Sequence, residues 1–431
     1  RPLGLVENWV RKDYKTTSNS SPYTCRQAKF MDFSDTPEAA TFRAEVRAWL
    51  QANGGALQST APDELYTEAD IERCRQWQRK KAEIGYAHLV WPQEYGGMGG
   101  TWMQAAIFDQ EERRLPRPFN YFSVGIGQCL PPIMTYGSEE QKKLIPRTLR
   151  GELIWCQLFS EPSAGVDLAA VRTRAVREGD NWKISGQKVW TSGAQVADFG
   201  ILLARTDPEL PKHKGLTFFI VDMRLPGVEV QPIKQISGHS EFNEVFLDGV
   251  ELPDSCRLGE VNQGWQVAMH ALSAERFKRL NTRMPSMLSV LDLAQTCEID
   301  GARAIERDDV RQYLAAALTN KCALENFMSR MLTVLSEGGE LGSEASILKL
   351  MSCQLNQDLS AYTMDLFGEQ GAILDEQTHV LQDELYDAYL WTPGLRIAGG
   401  ADEILMNIIA ERTLGLPGEP RLDKGKAFKD L

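Results

Sequence analysis

Hydrophobic residues recur every three or four positions in the first third of the chain, which is the period of an amphipathic helix. The first such segment places Phe42, Val46 and Leu50 on one face, and Thr36 and Pro37 suit its cap and first turn. Two further helices are predicted over residues 68–84 and 138–149. The pattern therefore predicts an all-helical N-terminal region.

Between residues 154 and 252 the spacing changes to a two-residue period, which is typical of strands with one buried face. Side chains at residues 171–177 alternate with a period of two, which predicts a strand. A Gly-Asp-Asn turn at 179–181 then reverses the chain, and residues 182–190 form the second strand of the hairpin. Further short strands are predicted over 199–204, 216–221 and 242–247. Because no predicted helix separates these strands, an antiparallel barrel or sandwich is favoured and a parallel doubly wound sheet is excluded.

From residue 253 onward the helical period returns and the predicted helices become longer. One apolar stripe comprises Trp265, Met269, Leu272, Leu280, Met284, Leu288 and Leu291. Other helices are predicted over 309–336 and 343–366, and a last one ends before Gly415 and Pro417.

This order of elements predicts an α+β multidomain fold. We expect an N-terminal all-α domain over residues 31–153, a middle antiparallel β-barrel domain over 154–252 and a C-terminal α-helical bundle over 253–431. Ligand pockets favour domain interfaces, so a ligand is expected between the β domain and the helical layers.

Residues 1–30 carry six basic and two acidic side chains. They lack the apolar core of a secretory signal peptide. Three interpretations remain open: a leader, an extended upstream reading of the sequence, and a remnant unrelated to the fold. A basic leader containing serine and threonine is typical of organelle import, and it would place the protein in the mitochondrial matrix instead of the bacterial cytoplasm.

The composition of this chain of 431 residues argues against several classes of function. Its formal net charge of −12 disfavours nucleic acid as the main partner, which needs a basic surface. The sequence holds no run of about 18 apolar residues, so no membrane span is expected. The eight cysteines form no Cys-x-x-Cys pair and the five histidines are dispersed. We therefore expect free thiols in a reducing compartment and no metal site.

Five stretches carry a family resemblance when they are taken in their order along the chain. They are Cys156–Asp167, Gly186–Ser192, Ala204–Thr206, Phe242–Asp248 and Ile408–Pro417. Together they resemble the acyl-CoA dehydrogenase family, and the resemblance covers essentially residues 31–417. It implies a helical, β-barrel, helical fold with FAD at the domain interface. It also implies an acyl-CoA substrate, an electron-transferring flavoprotein as acceptor, and a homo- or hetero-oligomer, either a dimer or a tetramer.

The resemblance assigns roles to residues around the flavin. The reaction removes a proton from the carbon α to a thioester and transfers a hydride from the β carbon to flavin N5. By resemblance, Gln157, Phe159 and Ser160 meet the pyrimidine edge of the flavin, Trp190 covers one ring face and Ser192 lies near N5. The alternative for Trp190 is an aromatic residue of the barrel core. The other cofactor positions implied are Thr191, Gly368, Ala401 and Glu403.

The usual catalytic base of the family is missing from this sequence. Many members carry a glutamate where this chain has Gly399, and glycine cannot accept a proton. Asp402 and Glu403 follow at the start of a helix, where solvated charges are expected. By resemblance, the backbone N–H of Gly399, with a flavin ribityl hydroxyl, binds the thioester oxygen as the enolate forms.

Other members of the family carry the base on the first long helix of the C-terminal domain, and that position is Glu275 here. Glu275 follows Leu272 by three residues and Met269 by six, so it borders the apolar stripe. The alternative is a surface ion pair with Arg279, four residues later. We expect Arg276 to orient Glu275 or to meet the thioester region or CoA of the substrate.

The sequence also departs from the family pattern. Val166 stands where a serine often contacts flavin phosphate and substrate, Cys297 replaces an arginine and Asp300 replaces a phenylalanine. The Gln-x-x-Gly-Gly segment is degraded at 365–369. The last three departures affect contacts that the family makes to a neighbouring subunit's FAD. They favour either weaker FAD binding or a hetero-oligomer in which another subunit supplies those contacts.

The leading hypothesis is FAD-dependent α,β-dehydrogenation of an acyl-CoA to the 2-enoyl-CoA. The missing glutamate leaves open other flavin chemistry on the same fold, of the desulfinase, nitroalkane oxidase or monooxygenase type. A third hypothesis is a non-catalytic partner subunit or a DNA-associated relative, and the negative charge disfavours DNA.

Overall fold

The computed structural model describes residues 35–55, 57, 65–278, 287–339, 341–368, 380–420, 423 and 425–431. Within these ranges, the side chains of 274–278 and 380–384 are not described. The expected leader at 1–30 and the start of the first domain at residue 31 therefore lie outside the described residues.

The N-terminal region is helical, as predicted. Its first helix, α1 (Pro37–Gly54), begins where the sequence places it, and the Thr36 hydroxyl accepts a hydrogen bond from Ala39 N at 3.2 Å. The following helices are α2 (Glu68–Glu83), α3 (Trp102–Glu112), α4 (Leu130–Tyr136), α5 (Glu139–Lys142) and α6 (Leu144–Leu149). The single helix predicted over 138–149 is wrong, because Pro146 has no N–H to donate to the carbonyl of Lys142, where α5 ends.

The middle region is a predominantly antiparallel sheet. Its strands are β1 (Trp155–Leu158), β2 (Arg174–Glu178), β3 (Asn181–Ser192), β4 (Phe199–Arg205), β5 (Leu216–Asp222), β6 (Val228–Ile233), β7 (Phe242–Pro253) and β8 (Arg257–Leu258). Among the described residues they form one sheet in the order β6-β7-β3-β2-β4-β5-β8, with β1 paired to β4. This confirms the β-rich middle domain.

Two pairings of the sheet are parallel, which the strand pattern did not predict. β1 runs alongside β4 from Trp155 and Phe199 to Leu158 and Leu202, and β2 meets β4 at one residue pair. The sequence also gave no separate prediction for β1 or β6. β1 is too buried to alternate, and β6 contains Pro232, which is tolerated only on an edge strand such as this one.

The C-terminal region is a helical bundle. Its helices are α7 (Gly264–Lys278), α8 (Met287–Thr296), α9 (Asp308–Ser336), α10 (Glu344–Phe367), α11 (Val380–Ile397) and α12 (Asp402–Ile408). A short hairpin, β9 (Glu298–Ile299) and β10 (Ala302–Arg303), separates α8 from α9. Helices α9 and α10 lie within one residue of their predicted bounds. None of the described helices is long and apolar enough to cross a membrane.

The apolar stripe predicted from Trp265 to Leu291 falls on two described helices, α7 and α8. Leu280 and Met284 lie outside the described residues, and Leu288 is 59% exposed. The buried face of α8 consists of Met287, Val290, Leu293 and Ala294.

Helix α7 packs against the β domain. Val267, Ala268 and Ala271 are buried in a core shared with Phe218 of β5 and with the N-terminal helices. The helix begins at Gly264, where an added Cβ would lie only 2.7 Å from the backbone of Thr217 on β5. This close approach fixes the position from which α7 extends toward residue 275.

Asp254, at the end of β7, links the sheet to the following turn. Its carboxylate accepts hydrogen bonds from Arg257 at 3.0 Å and from Trp182 Nε1 at 2.7 Å, and these bonds lower its pKa to about 2. A depressed pKa adds stability above the ordinary value of 3.8, and that stability is lost as the pH falls toward 2.

We therefore expect Asp254→Asn to lower the unfolding free energy by about 1–2 kcal/mol at pH 7, after allowance for partial exposure. The difference from wild type, measured by chemical denaturation, shrinks below about pH 4. Asp248→Asn, at an exposed position of β7, is the control. A difference that does not change with pH contradicts this prediction.

Candidate active site

A large cleft of about 2810 Å³ lies where the N-terminal helices, the β domain and the C-terminal helices meet. Its position agrees with the expectation of a ligand between these layers. Most of the site residues predicted from the sequence line this cleft: Gln157, Phe159, Ser160, Val166, Trp190, Ser192, Gly399 and Ala401. Residues distant in sequence are therefore brought to one cavity.

Trp190 is presented to the cleft by an irregularity in β3. The pairing of β3 with β7 shifts register between Lys188 and Thr191, and Trp190 has a φ of 59°, which is uncommon for a bulky residue. The indole is 58% exposed, so the alternative of a barrel-core residue is wrong. Its ring meets Phe242 in an edge-to-face contact with centroids 5.9 Å apart, and Phe242 stacks on Trp391 of α11. Trp190 therefore presents an exposed aromatic surface to the cavity.

The neighbours of Trp190 point in opposite directions. Ser192 lines the cleft, whereas Thr191 is buried on the other side of the strand. The Thr191 hydroxyl has no hydrogen-bond partner among the described residues, and its carbonyl accepts from Asn243 at 3.0 Å. Thr191 therefore supports the strand end, while Ser192 offers a hydroxyl to a ligand.

Strand β1 and the segment that follows it form a second wall. Gln157 Nε2 is buried, and it has no hydrogen-bond partner within the described part of the chain. A buried donor without a partner is costly, so this group suits a ligand that carries an acceptor. The flavin ring system has carbonyl oxygens and ring nitrogens along one edge. Gln157, the Ser160 hydroxyl and the Trp190 surface therefore fit a bound flavin.

A rigid glycine loop forms a third wall. Gly399 and Gly400 have φ values of 63° and 100°, which favour glycine. The Gly400 carbonyl accepts from Lys349 Nζ at 2.8 Å. Asp402, after the loop, is only 4% exposed and forms ion pairs with Arg396 and Lys349. The expectation of a solvated charge is therefore wrong for Asp402, because two cations from other turns of the bundle reach it.

Two predicted cofactor positions lie apart from these walls. Glu403 is exposed, and Gly368 ends α10 with a φ of 57° and an N–H donated to Asp365 O. Neither is among the described residues that line the cleft. Their assignment to a cofactor stays a prediction.

Helix α7 supplies the wall nearest to the predicted base. Trp265, Met269 and Leu272 line the cleft at helical spacing, and residue 275 follows Leu272 by one turn. The structure does not describe the side chains of Glu275 and Arg276, and Arg279 lies outside the described residues. The structure therefore places the backbone of residue 275 in the helix, and its role stays a prediction.

The departures from the family pattern have local structural roles here. Cys297 follows α8, and Asp300 sits in the β9–β10 turn with a φ of 54° and accepts from Arg307 at 2.9 Å. Val166 is exposed in the cleft.

Lys188 and Glu161 form a buried pair that the sequence pattern did not predict. Their charged groups are 2.8 Å apart. Burial lowers the pKa of Lys188. Burial also works to raise the pKa of Glu161, but the attraction of Lys188 and the hydrogen bonds outweigh it, so that pKa is lowered and the carboxylate stays ionised. The available signal was a lysine at an inward-facing position of a strand, which requires a buried partner.

Models of three acyl-CoA dehydrogenase domains match the chain in order, the N-terminal domain at 36–152, the middle domain at 156–250 and the C-terminal domain at 262–414. The acyl-CoA dehydrogenase FadE34 of Mycobacterium tuberculosis is 37% identical over 88% of this chain and 52% of its own length. The chain therefore spans about half of that relative. The acyl-CoA dehydrogenase IpdE1 of the same organism is 35% identical over 88% of this chain and 98% of its own length.

Two solved structures are similar throughout. The Tcur3481-Tcur3483 steroid ACAD is 29% identical with a TM-score of 0.74, over 90% of this chain and 100% of that one. The ChsE4-ChsE5 complex from Mycobacterium tuberculosis is 29% identical with a TM-score of 0.75 and the same coverage. The domain matches, the IpdE1 identity and the cleft agree with one another. The chain belongs to the acyl-CoA dehydrogenase family of FAD-dependent oxidoreductases that act on acyl-CoA.

Proposed function

We propose that this chain removes the α proton and the β hydride of an acyl-CoA thioester and releases the 2-enoyl-CoA. One observation carries the proposal: the Trp190 surface, the unpartnered Gln157 donor, the Gly399 loop and the cleft face of α7 converge on one cavity. Bound FAD supplies the hydride acceptor at N5. The chain itself orients the ring, holds the thioester and takes the proton.

In this proposal Glu275 is the base. Its position one turn after Leu272 supports the role, because Leu272 and Met269 line the cleft. An acyl chain packed against these side chains would remove water from a carboxylate at residue 275. Desolvation raises the pKa of a carboxylate toward neutrality, which suits proton abstraction.

The Gly399 N–H is proposed to bind the thioester oxygen, on which negative charge develops as the α proton leaves. The loop suits this role because its conformation is held from both sides. Lys349 binds the Gly400 carbonyl, and Arg396 binds both Asp402 and Gln357. A donor fixed in advance needs no reorganisation during the reaction.

We infer that the acyl group is bulky and ring-containing, of the steroid type. The cleft volume of about 2810 Å³ exceeds the roughly 300–1,000 Å³ of ordinary ligand pockets, so it would have room for FAD and for a large acyl group. One similar structure is a steroid ACAD. The expected electron acceptor is an electron-transferring flavoprotein.

We further propose that the chain works beside a second, different subunit. The replacement of family residues at Cys297 and Asp300 supports this arrangement, as does the similarity to a two-component complex. The native mass of the chain, purified alone and with a candidate partner, tests the assembly. FAD that is retained only in the mixed assembly supports it, and stoichiometric FAD in the isolated chain contradicts it.

The experiment for the reaction is anaerobic mixing of the FAD-loaded protein with a steroid-type acyl-CoA. We expect loss of the visible flavin absorption without added acceptor, together with a product that has lost two hydrogens. Chemistry of the monooxygenase or nitroalkane oxidase type requires oxygen to complete turnover, and desulfination yields no enoyl thioester. An unchanged flavin spectrum across acyl-CoA classes contradicts the proposal.

Trp190→Ala should weaken FAD binding by about 10-fold to 100-fold, because the ring loses its aromatic contact surface. Trp190→Phe retains a smaller aromatic face, so we expect a weaker effect of less than about tenfold. The fluorescence of the flavin released on dilution measures the FAD affinity of both variants. Equal affinity in Trp190→Ala and wild type would remove Trp190 from the cofactor site.

A further inference from the structure

A completely buried lysine connects three parts of the β domain. Lys188 lies on β3 and its side chain is 0% exposed. Its Nζ donates to Glu161 Oε1 at 2.8 Å, to the Phe159 carbonyl at 3.0 Å and to the Leu203 carbonyl on β4 at 2.8 Å. Because an ammonium has three N–H groups, these acceptors satisfy it completely.

The carboxylate of Glu161 is equally well satisfied. Besides Lys188, it accepts from Arg172 N at 2.6 Å and from Thr173 N at 2.9 Å. A buried ion pair is tolerated only when its remaining hydrogen-bonding capacity is filled in this way. An apolar pair of similar volume would often stabilise a fold as well, so stability alone does not explain the residue types.

The pair lies between the two segments proposed to contact the flavin. Phe159 and Glu161 flank Ser160 on one segment, and Lys188 precedes Trp190 by two residues on the other. The Val189 N–H also donates to the Ser160 carbonyl at 2.9 Å. Trp190 has the uncommon φ of 59°, a conformation that persists only where the surroundings determine it.

We propose that the Lys188–Glu161 pair is a positioning device for the cofactor. It ties the irregular end of β3 to the Phe159–Ser160 segment and so sets the distance between the Trp190 surface and the polar wall. Both residues act through Trp190 and Ser160 and are positioning residues. The inference rests on the proposed function for the placement of the flavin between these segments.

The test compares FAD affinity in Lys188→Met, in the double variant Lys188→Met/Glu161→Gln, and in Lys183→Met. Lys183 is an exposed lysine on the same strand and serves as the matched control. The readouts are the dissociation constant for FAD added to apoprotein, the visible circular dichroism of the bound flavin, and the melting temperature of the apoprotein. The last readout reports the purely structural contribution.

We expect the dissociation constant for FAD to rise by about 10-fold to 100-fold in Lys188→Met, the scale on which loss of an outer supporting contact weakens a ligand site. The visible circular dichroism should change as well, and Lys183→Met should match wild type. Lys188→Met leaves Glu161 buried without its partner, so this variant can fail to fold. The double variant removes both charges, and we expect it to fold and still bind FAD weakly.

A folded double variant with wild-type FAD affinity and wild-type flavin circular dichroism overturns the proposal, even if its melting temperature is lower. Acyl-CoA turnover does not enter these measurements. Wild-type protein that binds FAD but oxidises no acyl-CoA therefore overturns only the proposed function, whereas unchanged FAD binding in the variants overturns only the positioning role.

Discussion

We expect Glu275→Gln to lower turnover at least about 100-fold while FAD remains bound, because the amide keeps the size of the proposed base but cannot accept the α proton. The loss is expected in kcat across acyl-CoA chain lengths, since no substrate can supply the missing base. Steady-state rates with an electron acceptor, together with the flavin content of the purified variant, measure the effect.

The matched control is Glu337→Gln, at an exposed position that follows α9, which should keep wild-type turnover. The control separates loss of the base from a general effect of removing one negative charge. Near-normal turnover of Glu275→Gln with bound FAD would show that another group accepts the α proton.

Gly264→Ala should strongly destabilise the contact between α7 and the β domain. The new Cβ would lie 2.7 Å from the backbone of Thr217 on β5, and the backbone of a strand paired in the sheet cannot move aside as a flexible side chain can. We expect the unfolding free energy to fall by about 2–3 kcal/mol. Because α7 carries residue 275, we also expect turnover to fall about tenfold or more as the helix shifts.

Gly55→Ala is the control for this substitution. Gly55 has a helical φ of −64° at the end of α1, and the atom nearest to its added Cβ would be Gln51 O at 3.8 Å. Here alanine should leave the unfolding free energy unchanged or raise it by about 0.4–1 kcal/mol. Denaturant unfolding of both variants makes the comparison. Equal stability of Gly264→Ala and wild type would show that α7 is not held in the position described.

Local pattern was sufficient where one element determines its own ends. Thr36 and Pro37 predict the start of α1, because they suit the N-cap and the first turn. The bounds of α9 and α10 follow from helical periodicity. The sequence pattern was insufficient where contacts with a distant part of the chain determine strand pairing or burial. The parallel pairing of β1 with β4 depends on how the chain enters the sheet, and the burial of Asp402 depends on Lys349, far away in sequence.

The site could be predicted in part for the same reason. The motifs that resemble the family point to Gln157, Ser160 and Trp190, and these residues do share one cleft. The contact of Phe242 with Trp391 could not be predicted, because it joins β7 to α11 across the domain interface. Lys188 and Glu161 lie inside recognised motifs, but only the fold shows that they face each other.

We propose that Glu275 takes the α proton of the acyl-CoA in the step that would reduce FAD. The most direct measurement is the rate of visible flavin bleaching in a single anaerobic turnover, with FAD-loaded wild type and Glu275→Gln mixed with the same acyl-CoA. We expect rapid bleaching in wild type and bleaching at least about 100-fold slower in the variant. Equal bleaching rates in the two proteins would contradict it.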